Sequence, residues 1–402
     1  MKKVGIVSCY FQENYGSMLQ AYATQKILDD LGYENENINI DGLKPEINKA
    51  KAAYFAKAAL TSDILFYKIG KALNKIRVKV GSKDFVENTK IRHRSFEKFK
   101  NTWFKVSCKY ESKEELKRKC SDNYHTVLVG SDQLWLPANI AADYYTLNFV
   151  PDCVNTIAYA TSFGQSELPK DVQEKAKYFL KRIRHISVRE ESGQKLVKNL
   201  VGRDIPVVCD PTLLFSAEQW MEIQPEKAVE TGDYIFCYFL GNNPKQREFA
   251  KRLKDKTGMK IIALPHLPEY KKCDEGYADK ELYDVNPGQF VNLIRNAKYV
   301  CTDSFHCSVF SILYKRDFFT FRRFTKETKV STNSRLDTLF HVLGIKNPIL
   351  MGDEKVEDCM NYRIDYNNVQ NNLIEIRGKS LQYLKKALLD TNEEMPNGNK
   401  KY

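Results

Sequence analysis

The chain has 402 residues, 43% of them hydrophobic and 12% aromatic, so it is long enough for two globular domains and is not intrinsically disordered. No stretch of it approaches the roughly 18 consecutive apolar residues of a membrane span. The N-terminus, MKKVGIVSCYF, continues as a strand without the apolar segment of a signal peptide, which predicts a cytoplasmic protein. Ten scattered cysteines include no CxxC pair, a pattern typical of reduced, buried thiols, so we expect no metal site. We also expect no cofactor.

The net charge of +12 comes from one part of the chain, because residues 44–119 hold 21 basic and 8 acidic residues, a net charge of +13. Since no recognisable nucleic-acid-binding module accompanies this charge, we expect no nucleic-acid partner. Residues 50–80 mix lysines with aromatic and aliphatic residues, a composition often found in helices on anionic membrane surfaces. This favours contact of residues 44–119 with the inner face of a membrane. The alternative is a helical insertion whose lysines face water.

Strands and helices alternate along the N-terminal half of the chain. KVGIVSCY (3–10) is predicted to form a strand, and residues 16–32 a helix that ends at Gly32. A helix is also predicted at about 170–183. The other strands predicted in this half are 36–40, 125–130, 155–162, 185–189 and 205–210.

A second series of alternating elements begins at DYIFCYFLG (233–241). Further strands are predicted at 259–264 and 298–302. The predicted helices are 244–256, 288–297, a short apolar helix beginning near His306, 334–344 and about 370–390. Such alternation predicts an α/β fold of two Rossmann-like domains, with mainly parallel sheets facing a cleft. We assign residues 1–205, including the basic segment 44–119, to the first domain, 206–370 to the second, and 371–402 to a C-terminal helix and a polar, disordered tail.

The first motif at a strand end is YFQENYGSMLQAYA (10–23), where a loop with Asn14 and Gly16 leads into a helix. Gly16 permits a close backbone approach, and the exposed amides of the helix suit an anionic group. The motif contains neither GxGxxG nor GxxxxGK[ST], which argues against a dinucleotide site and excludes a P-loop.

The second motif, VLVGSDQLWLP (127–137), presents Ser131, Asp132, Gln133 and Trp135 after a buried strand. Small polar groups beside an indole suit a sugar, whose apolar face stacks on aromatic rings while its hydroxyls form hydrogen bonds. The alternative is that Trp135 belongs to the core and Asp132 caps a helix.

Three further motifs supply charged residues. Arg189 follows the strand 185–189, and its planar guanidinium matches a carboxylate or phosphate unless it pairs with a neighbouring glutamate. Asp210, in VVCDPTLLF, is best explained as a helix cap. In CTDSFHCSVFSILYKRDF (301–318), Ser304 and His306 lie where a strand passes into a helix, the edge at which open α/β sheets bind ligands. A satisfied structural histidine is the alternative there.

Downstream of His306, the segment 322–335 is rich in lysine and arginine and includes Arg335. Basic side chains beside a titratable histidine would suit an anionic substrate. The alternative is a solvated surface loop.

Six of these blocks, taken in order, resemble the polysaccharide pyruvyl transferase family over about residues 1–345. The blocks are NYGSMLQAYA, VGSDQLW, AYATSFGQSELP, ISVREESG, CDPTLLF and TDSFHCSVFSILY. The resemblance implies two Rossmann-type domains arranged as in GT-B glycosyltransferases. It also implies transfer of the enolpyruvyl unit of phosphoenolpyruvate to two hydroxyls of a sugar, giving a cyclic ketal and phosphate. The acceptors implied are sugars of bacterial surface polysaccharides or their lipid-linked precursors, with phosphoenolpyruvate as co-substrate.

The resemblance implies that His306 lies at the phosphoenolpyruvate site. The family histidine often follows an arginine by two residues, but Ser304 occupies that position here. The missing cation would then come from Arg189, Arg335 or a lysine of 322–329. We therefore predict His306 and Asp132 as catalytic, His306 as acid or phosphate ligand and Asp132 as base or sugar anchor. Donor binding is assigned to Arg189, Ser304 and Arg335, and acceptor binding to Asn14, Gly16, Ser131, Gln133 and Trp135.

Two alternative functions remain from the sequence. One is a GT-B glycosyltransferase that uses a nucleotide-sugar, with Glu275 or Asp279 on the ribose hydroxyls. The other is a catalytically inactive polysaccharide-binding protein at the membrane surface, for which Ser304 in place of arginine is the support.

Overall fold

Two five-stranded parallel sheets organise the protein in a computed structural model that describes residues 2–58, 83–267, 271–323 and 334–390. The first sheet has the spatial order β2-β1-β3-β4-β5 and consists of β1 (Lys3–Val7), β2 (Asn35–Asn37), β3 (Tyr124–Val129), β4 (Asn155–Thr161) and β5 (His185–Val188). The second has the order β10-β9-β6-β7-β8 and consists of β6 (Tyr234–Tyr238), β7 (Lys260–Ala263), β8 (Lys280–Glu281), β9 (Tyr299–Thr302) and β10 (Asp317–Thr320). Every strand pair is parallel, which confirms the predicted fold class.

Helices connect the strands of the first sheet. They are α1 (Tyr15–Asp30), α2 (Lys44–Ala58), α3 (Lys83–Trp103), α4 (Lys113–Asn123), α5 (Pro137–Ala142), α6 (Lys170–Arg182) and α7 (Glu191–Val201). Local signals account for several of their ends. Ser112 starts α4 by accepting a hydrogen bond from the backbone N–H of Glu115, and Gly202 ends α7 in a left-handed conformation with φ of 73°.

The second half of the chain repeats this pattern. Its helices are α8 (Pro211–Leu214), α9 (Pro244–Thr257), α10 (Pro287–Asn296), α11 (Phe305–Leu313), α12 (Ser334–Leu343), α13 (Val356–Met360) and α14 (Tyr366–Leu389). Three of them start with proline directly after a capping Asp210, Asn243 or Asn286. Proline suits this position because its missing N–H would have no helical partner there.

The strand orders place a topological switch point in each sheet. In the first sheet, β1 lies between β2 and β3, so the strand order reverses direction at β1. In the second sheet, β6 lies between β7 and β9, so the order reverses at β6. Open α/β sheets bind ligands at such points, beyond the carboxyl ends of the strands. The loops that follow β1, β3, β6 and β9 are therefore where this fold favours a site.

The two halves share one hydrophobic core. Tyr15 of α1 stacks on Phe290 of α10 with ring centroids 4.5 Å apart, and its hydroxyl donates to the carbonyl of Val285. The C-terminal helix α14 returns to the first sheet, where the side-chain amide of Asn155 donates to the carbonyl of Ala387 at 2.8 Å. The packing of α1 on α10 and the return of α14 to the first sheet thus both connect the two halves that form the cleft.

Where it is described, the basic segment 44–119 contributes to two hydrophobic clusters. Phe96 and Phe99 of α3 are buried in the shared core, and Ile47 of α2 is buried in the cluster of the first sheet. Arg92 of α3 reaches the second half of the chain, donating to the carbonyls of Leu282 and Tyr283 at 2.8 and 2.7 Å. Residues 59–82, which carry much of the predicted membrane-surface helix, lie outside the described residues, as does the predicted disordered tail 392–402.

One predicted strand is corrected by the structure. Residues 205–210 run beside β5 but form only an isolated bridge between Val188 and Val207. Pro206 has no N–H to donate, and α8 begins at Pro211, so the ladder is too short for a strand. The short strand β8 and the edge strand β10 were not predicted.

Candidate active site

A cavity of about 260 Å³ lies between the two sheets, at both switch points. We call it the central cavity. It is lined by residues from the loops after β1, β3, β6 and β9 and from the region around α12: Cys9, Gln12, Asn14, Ser17, Asp132, Gln133, Leu134, Leu136, Asn139, Leu240, Ser304, Phe305, His306, Arg323 and Arg335. The sequence analysis placed Asn14, Asp132, Gln133, Ser304, His306 and Arg335 at a site, and the fold brings these six together.

Two helices begin at the wall of this cavity. The side chain of Asn14 caps α1 by accepting from the N–H of Ser17 at 3.1 Å. Ser304 caps α11, its hydroxyl accepting from the N–H of Cys307 at 3.4 Å. The positive ends of both helix dipoles therefore meet at the central cavity, which favours an anionic ligand.

A buried carboxylate, Asp210, organises the wall behind His306. One of its oxygens accepts from Arg189 at 2.6 Å and from Ser131 at 2.8 Å, and lies 3.5 Å from Nε2 of His306. The other accepts from the N–H and hydroxyl of Thr212. Burial alone would raise the pKa of Asp210, but His306, Arg189 and the hydrogen bonds outweigh it and hold this pKa well below its usual value. Asp210 is therefore an ionised partner for the imidazole as well as the predicted helix cap.

Asp132 presents a second carboxylate, and this one faces the cavity. It accepts from the hydroxyl of Ser17 at 2.5 Å, and Arg189 lies 3.8 Å away. Burial opposes its ionisation, but Arg189 and His306 more than offset this, so the pKa of Asp132 is below its ordinary value. An ionised carboxylate with 15% of its side chain exposed can accept a proton or a hydrogen bond from a ligand hydroxyl.

Two arginines, Arg323 and Arg335, bring positive charge to the central cavity. Arg323 donates to the carbonyl of Asp303 at 3.1 Å, and the Asp303 carboxylate accepts from the N–H groups of Leu240 and Gly241. Burial, followed by the neighbouring Arg189 and Arg323, lowers the pKa of Arg335 to about 9. An anion in the central cavity would relieve this crowding of positive charge.

The position of Arg189 differs from the predicted direct donor clamp. Its side chain is 2% exposed, it is paired with Asp210, and its guanidinium lies 4.4 Å from the ring centroid of Phe305. It does not line the central cavity. Arg189 thus stabilises the carboxylates of Asp210 and Asp132 without lining the cavity. The cations that line the cavity are Arg323 and Arg335.

The structure contradicts the acceptor contacts predicted for Trp135 and Ser131. Trp135 is completely buried, packs on Phe163 and Phe179, and donates from Nε1 to the carbonyl of Tyr145 at 3.0 Å. The hydroxyl of Ser131 is equally buried, held between Asp210 and a backbone carbonyl. Gly16, also assigned to the acceptor, contacts the ring of His306 instead of lining the cavity.

Sequence reasoning missed two functional features of this site. Asp210 was interpreted only as a cap, although its place after the sequence 205–209 beside β5 puts it near the same sheet edge. Arg323 was one of several basic residues in 322–335, and no sequence pattern separates it from its neighbour Arg322. Within the described residues, no cluster of three His, Cys, Asp or Glu side chains could hold a metal ion.

The sequence model of the polysaccharide pyruvyl transferase family matches residues 14–323, more than three quarters of the chain. The chain belongs to this family. The match covers the loops after β3, β6 and β9 and begins at Asn14, the last residue of the loop after β1, whereas Arg335 lies beyond it. A search of curated proteins found no relative.

Solved structures resemble the fold across nearly the whole chain at low sequence identity. A structure assigned as a UDP-N-acetylglucosamine 2-epimerase from Listeria monocytogenes is 10% identical, with a TM-score of 0.50 over 97% of this chain and 91% of that one. The glycosyltransferase SnogD from Streptomyces nogalater is 11% identical, with a TM-score of 0.45 over 97% of this chain and 100% of that one. The two-sheet architecture is GT-B-like, and this likeness concerns the fold alone.

Proposed function

We propose that this protein transfers a pyruvyl group from phosphoenolpyruvate to two hydroxyls of a sugar, forming a cyclic ketal and releasing phosphate. The observation that carries the proposal is the central cavity, where two helix N-termini and two arginines lie next to the ionised Asp132 and the His306–Asp210 pair. Membership of the polysaccharide pyruvyl transferase family supports the same reaction class.

Phosphoenolpyruvate carries a phosphate and a carboxylate, so its binding needs cations and N–H groups more than a metal. Arg323 and Arg335 are the cavity-facing cations, and the first turn of α11 offers backbone N–H groups. These arginines would take over the role of the family arginine that Ser304 replaces. Ser304 itself would act through the helix N-terminus that it caps.

Ketal formation requires protonation of the methylene carbon while a sugar hydroxyl attacks C2, followed by displacement of phosphate by the second hydroxyl. Asp132, ionised and facing the cavity, is suited to accept the hydroxyl proton. His306, with Asp210 beside Nε2, is suited to donate a proton or to hold the phosphate. Gln133 and Asn14, which line the same wall, would position the substrate.

Nucleotide-sugar transfer has less support. Asp279, one of the two acidic residues considered for ribose binding, accepts from Lys254 at 2.5 Å and from the N–H of Ile261 at 2.8 Å. Its carboxylate joins α9 to the second sheet and is not among the residues that line the central cavity.

We further propose that the acceptor is lipid-linked and that α2 contacts an anionic membrane surface. Among the described residues, no helix is both long and apolar enough to cross a membrane. Lys49, Lys57 and the ring of Phe55 are all exposed on α2, at different positions around the helix. Exposed lysines and an apolar ring on one helix suit anionic headgroups.

Sedimentation with vesicles of phosphatidylglycerol tests this contact. Lys49→Glu/Lys57→Glu should weaken binding, whereas Lys385→Glu/Lys386→Glu on the exposed face of α14 should not, although it changes the net charge equally. Equal loss in both variants would indicate non-specific attraction by net charge.

The reaction is tested by phosphate release from phosphoenolpyruvate with a panel of sugar acceptors. Acceptor-dependent release that collapses in His306→Ala and Asp132→Asn would support the proposal. As a donor test without an acceptor, phosphoenolpyruvate should raise the melting temperature of the wild-type protein. Release of a nucleoside diphosphate from a nucleotide-sugar, with no response to phosphoenolpyruvate, would contradict it.

A further inference from the structure

A second cavity of about 290 Å³ lies beside the central cavity, in the same cleft. We call it the aromatic cavity. Its wall comes from the loop after β1, from α3, from the end of β6 and from the loop after β7: Phe11, Glu13, Tyr15, Thr89, Arg92, Tyr238, Pro265, His266 and Leu267. None of these residues was assigned to a site by the sequence or by the proposed function.

The two cavities share walls. In the loop after β1, Gln12 and Asn14 line the central cavity, whereas Phe11, Glu13 and Tyr15 line the aromatic one. Near the end of β6, Leu240 lines the central cavity and Tyr238 lines the aromatic cavity. The next residue after Tyr15 is Gly16, which contacts the ring of His306. A ligand in the aromatic cavity would therefore lie close to the proposed reacting groups.

The chemistry of the aromatic cavity is different from that of its neighbour. Phe11 supplies the accessible ring of its wall, because Tyr15 and Tyr238 are almost completely buried and the ring of Tyr15 is covered by Phe290 and Arg92. Its charged groups have partners, since Arg92 donates to the carbonyls of Leu282 and Tyr283, and Glu13 lies 2.6 Å from Nδ1 of His93.

His266 adds a polar group without a charge. Burial, followed by the nearby cations Lys271, Arg323, Arg92 and Arg247, lowers its pKa to about 3, so the imidazole is neutral near pH 7. A neutral imidazole has one donor and one acceptor nitrogen, as a hydroxyl partner requires. The hydroxyl of Thr89, which donates to the carbonyl of Phe85, retains the capacity to accept.

We propose that the aromatic cavity is a subsite for a neutral pyranose ring. The partly exposed ring of Phe11 can pack against the C–H face of such a ring, and a few neutral polar groups orient its hydroxyls. As the acceptor subsite of pyruvyl transfer, this assignment rests on the proposed function. It replaces the aromatic contact that Trp135 was predicted to supply and that burial of Trp135 precludes.

Saturation-transfer NMR on the full chain tests the subsite directly, with the methyl glycosides of glucose, galactose, mannose and N-acetylmannosamine as probes. At least one should receive saturation from the wild-type protein. Thr89→Trp, which fills the cavity from α3, should abolish the signal. Lys90→Trp places the same side chain at the next, exposed position of α3 and should leave the signal intact.

A second variant removes a wall instead of filling the space. Phe11→Ala, at a partly exposed position, should weaken binding of the same glycoside about tenfold, the effect expected for losing one apolar contact surface. The melting temperature of each variant shows whether it is folded. Absence of a signal for all four glycosides, or a signal that survives both Thr89→Trp and Phe11→Ala, would overturn the subsite.

The donor reaction is measured separately, so the two proposals can fail independently. Glycoside binding that depends on Thr89, without any response to phosphoenolpyruvate, would support the subsite and reject the donor. A melting-temperature rise with phosphoenolpyruvate, without glycoside binding, would do the reverse.

Discussion

Gly16 lies directly against the imidazole of His306. A β-carbon built at position 16 would be 2.0 Å from Nδ1 and 2.4 Å from Cγ of that ring, far inside van der Waals contact. The other side of the imidazole approaches Asp210, whose carboxylate oxygen is 3.5 Å from Nε2. The first turn of α1 and the carboxylate before α8 thus hold the ring between them.

Gly16→Ala should therefore displace His306 and reduce pyruvyl transfer by about 100-fold, the order of loss expected when a reacting group is misplaced by an ångström. The overpacking should also lower the free energy of unfolding by about 1–3 kcal/mol. Phosphate release at saturating phosphoenolpyruvate, and thermal unfolding, measure the two effects.

Gly378→Ala is the matched control for this substitution. Gly378 is exposed in the interior of α14, and a β-carbon there would meet nothing within 4 Å. It should leave turnover unchanged and stabilise the protein by about 0.5–1 kcal/mol. Full activity in Gly16→Ala would show that the position of His306 is unimportant for the reaction.

Asp210→Asn should destabilise the protein, because Arg189 would lose its buried carboxylate partner. Breaking a buried ion pair in this way costs about 3–5 kcal/mol. The pKa of Asp210 is held well below its unfolded value of about 3.9. Its contribution to stability is therefore fully present above about pH 4 and is lost as the pH falls toward the folded-state pKa.

The difference in unfolding free energy between the wild type and Asp210→Asn measures this contribution. The difference should shrink below about pH 4, because the unfolded carboxylate is protonated there. Burial raises the pKa of Glu190, so its titration changes stability with pH in the opposite direction. Both proteins contain Glu190, so this contribution cancels in the difference. A difference that does not depend on pH would mean that Asp210 is not ionised in the folded protein.

Arg323→Gln should weaken binding of phosphoenolpyruvate, because it removes one of the two cations that line the central cavity. The rise in melting temperature with phosphoenolpyruvate should decrease, and its KM should increase about tenfold or more, as for loss of a charge-assisted hydrogen bond. Arg322→Gln changes the adjacent cation, which pairs with Asp337 at 2.8 Å on the exposed surface. Equal effects of the two substitutions would argue against a specific donor contact.

The sequence predicted much of the central cavity for a physical reason. Asn14, Asp132, Ser304 and His306 each follow a strand closely, and the carboxyl ends of parallel strands meet at one edge of a sheet. Once two parallel sheets were predicted, these side chains had to gather at the edges that face the cleft. That inference needs only the order of the elements.

The orientation of Trp135 could not be predicted in the same way. Asp132 adopts a left-handed backbone conformation with φ of 82°, which is uncommon for any residue other than glycine and is not predicted from the local sequence. The chain turns there, and the N–H of Trp135 donates to the carbonyl of Ser162, so the indole points into the core. The aromatic cavity is equally hidden from local patterns, because Phe11 and His266 come from distant parts of the chain.

Trp135→Phe distinguishes the core position from the predicted sugar contact. The substitution leaves the carbonyl of Tyr145 without its indole donor and creates space beside Phe163 and Phe179. We expect a loss of about 1–3 kcal/mol in unfolding free energy. The KM for the acceptor should not change, because the indole is completely buried.

Phe11→Ala should show the opposite pattern, with a higher acceptor KM and little change in melting temperature. An acceptor KM that rises in Trp135→Phe without loss of stability would restore the indole to the acceptor site.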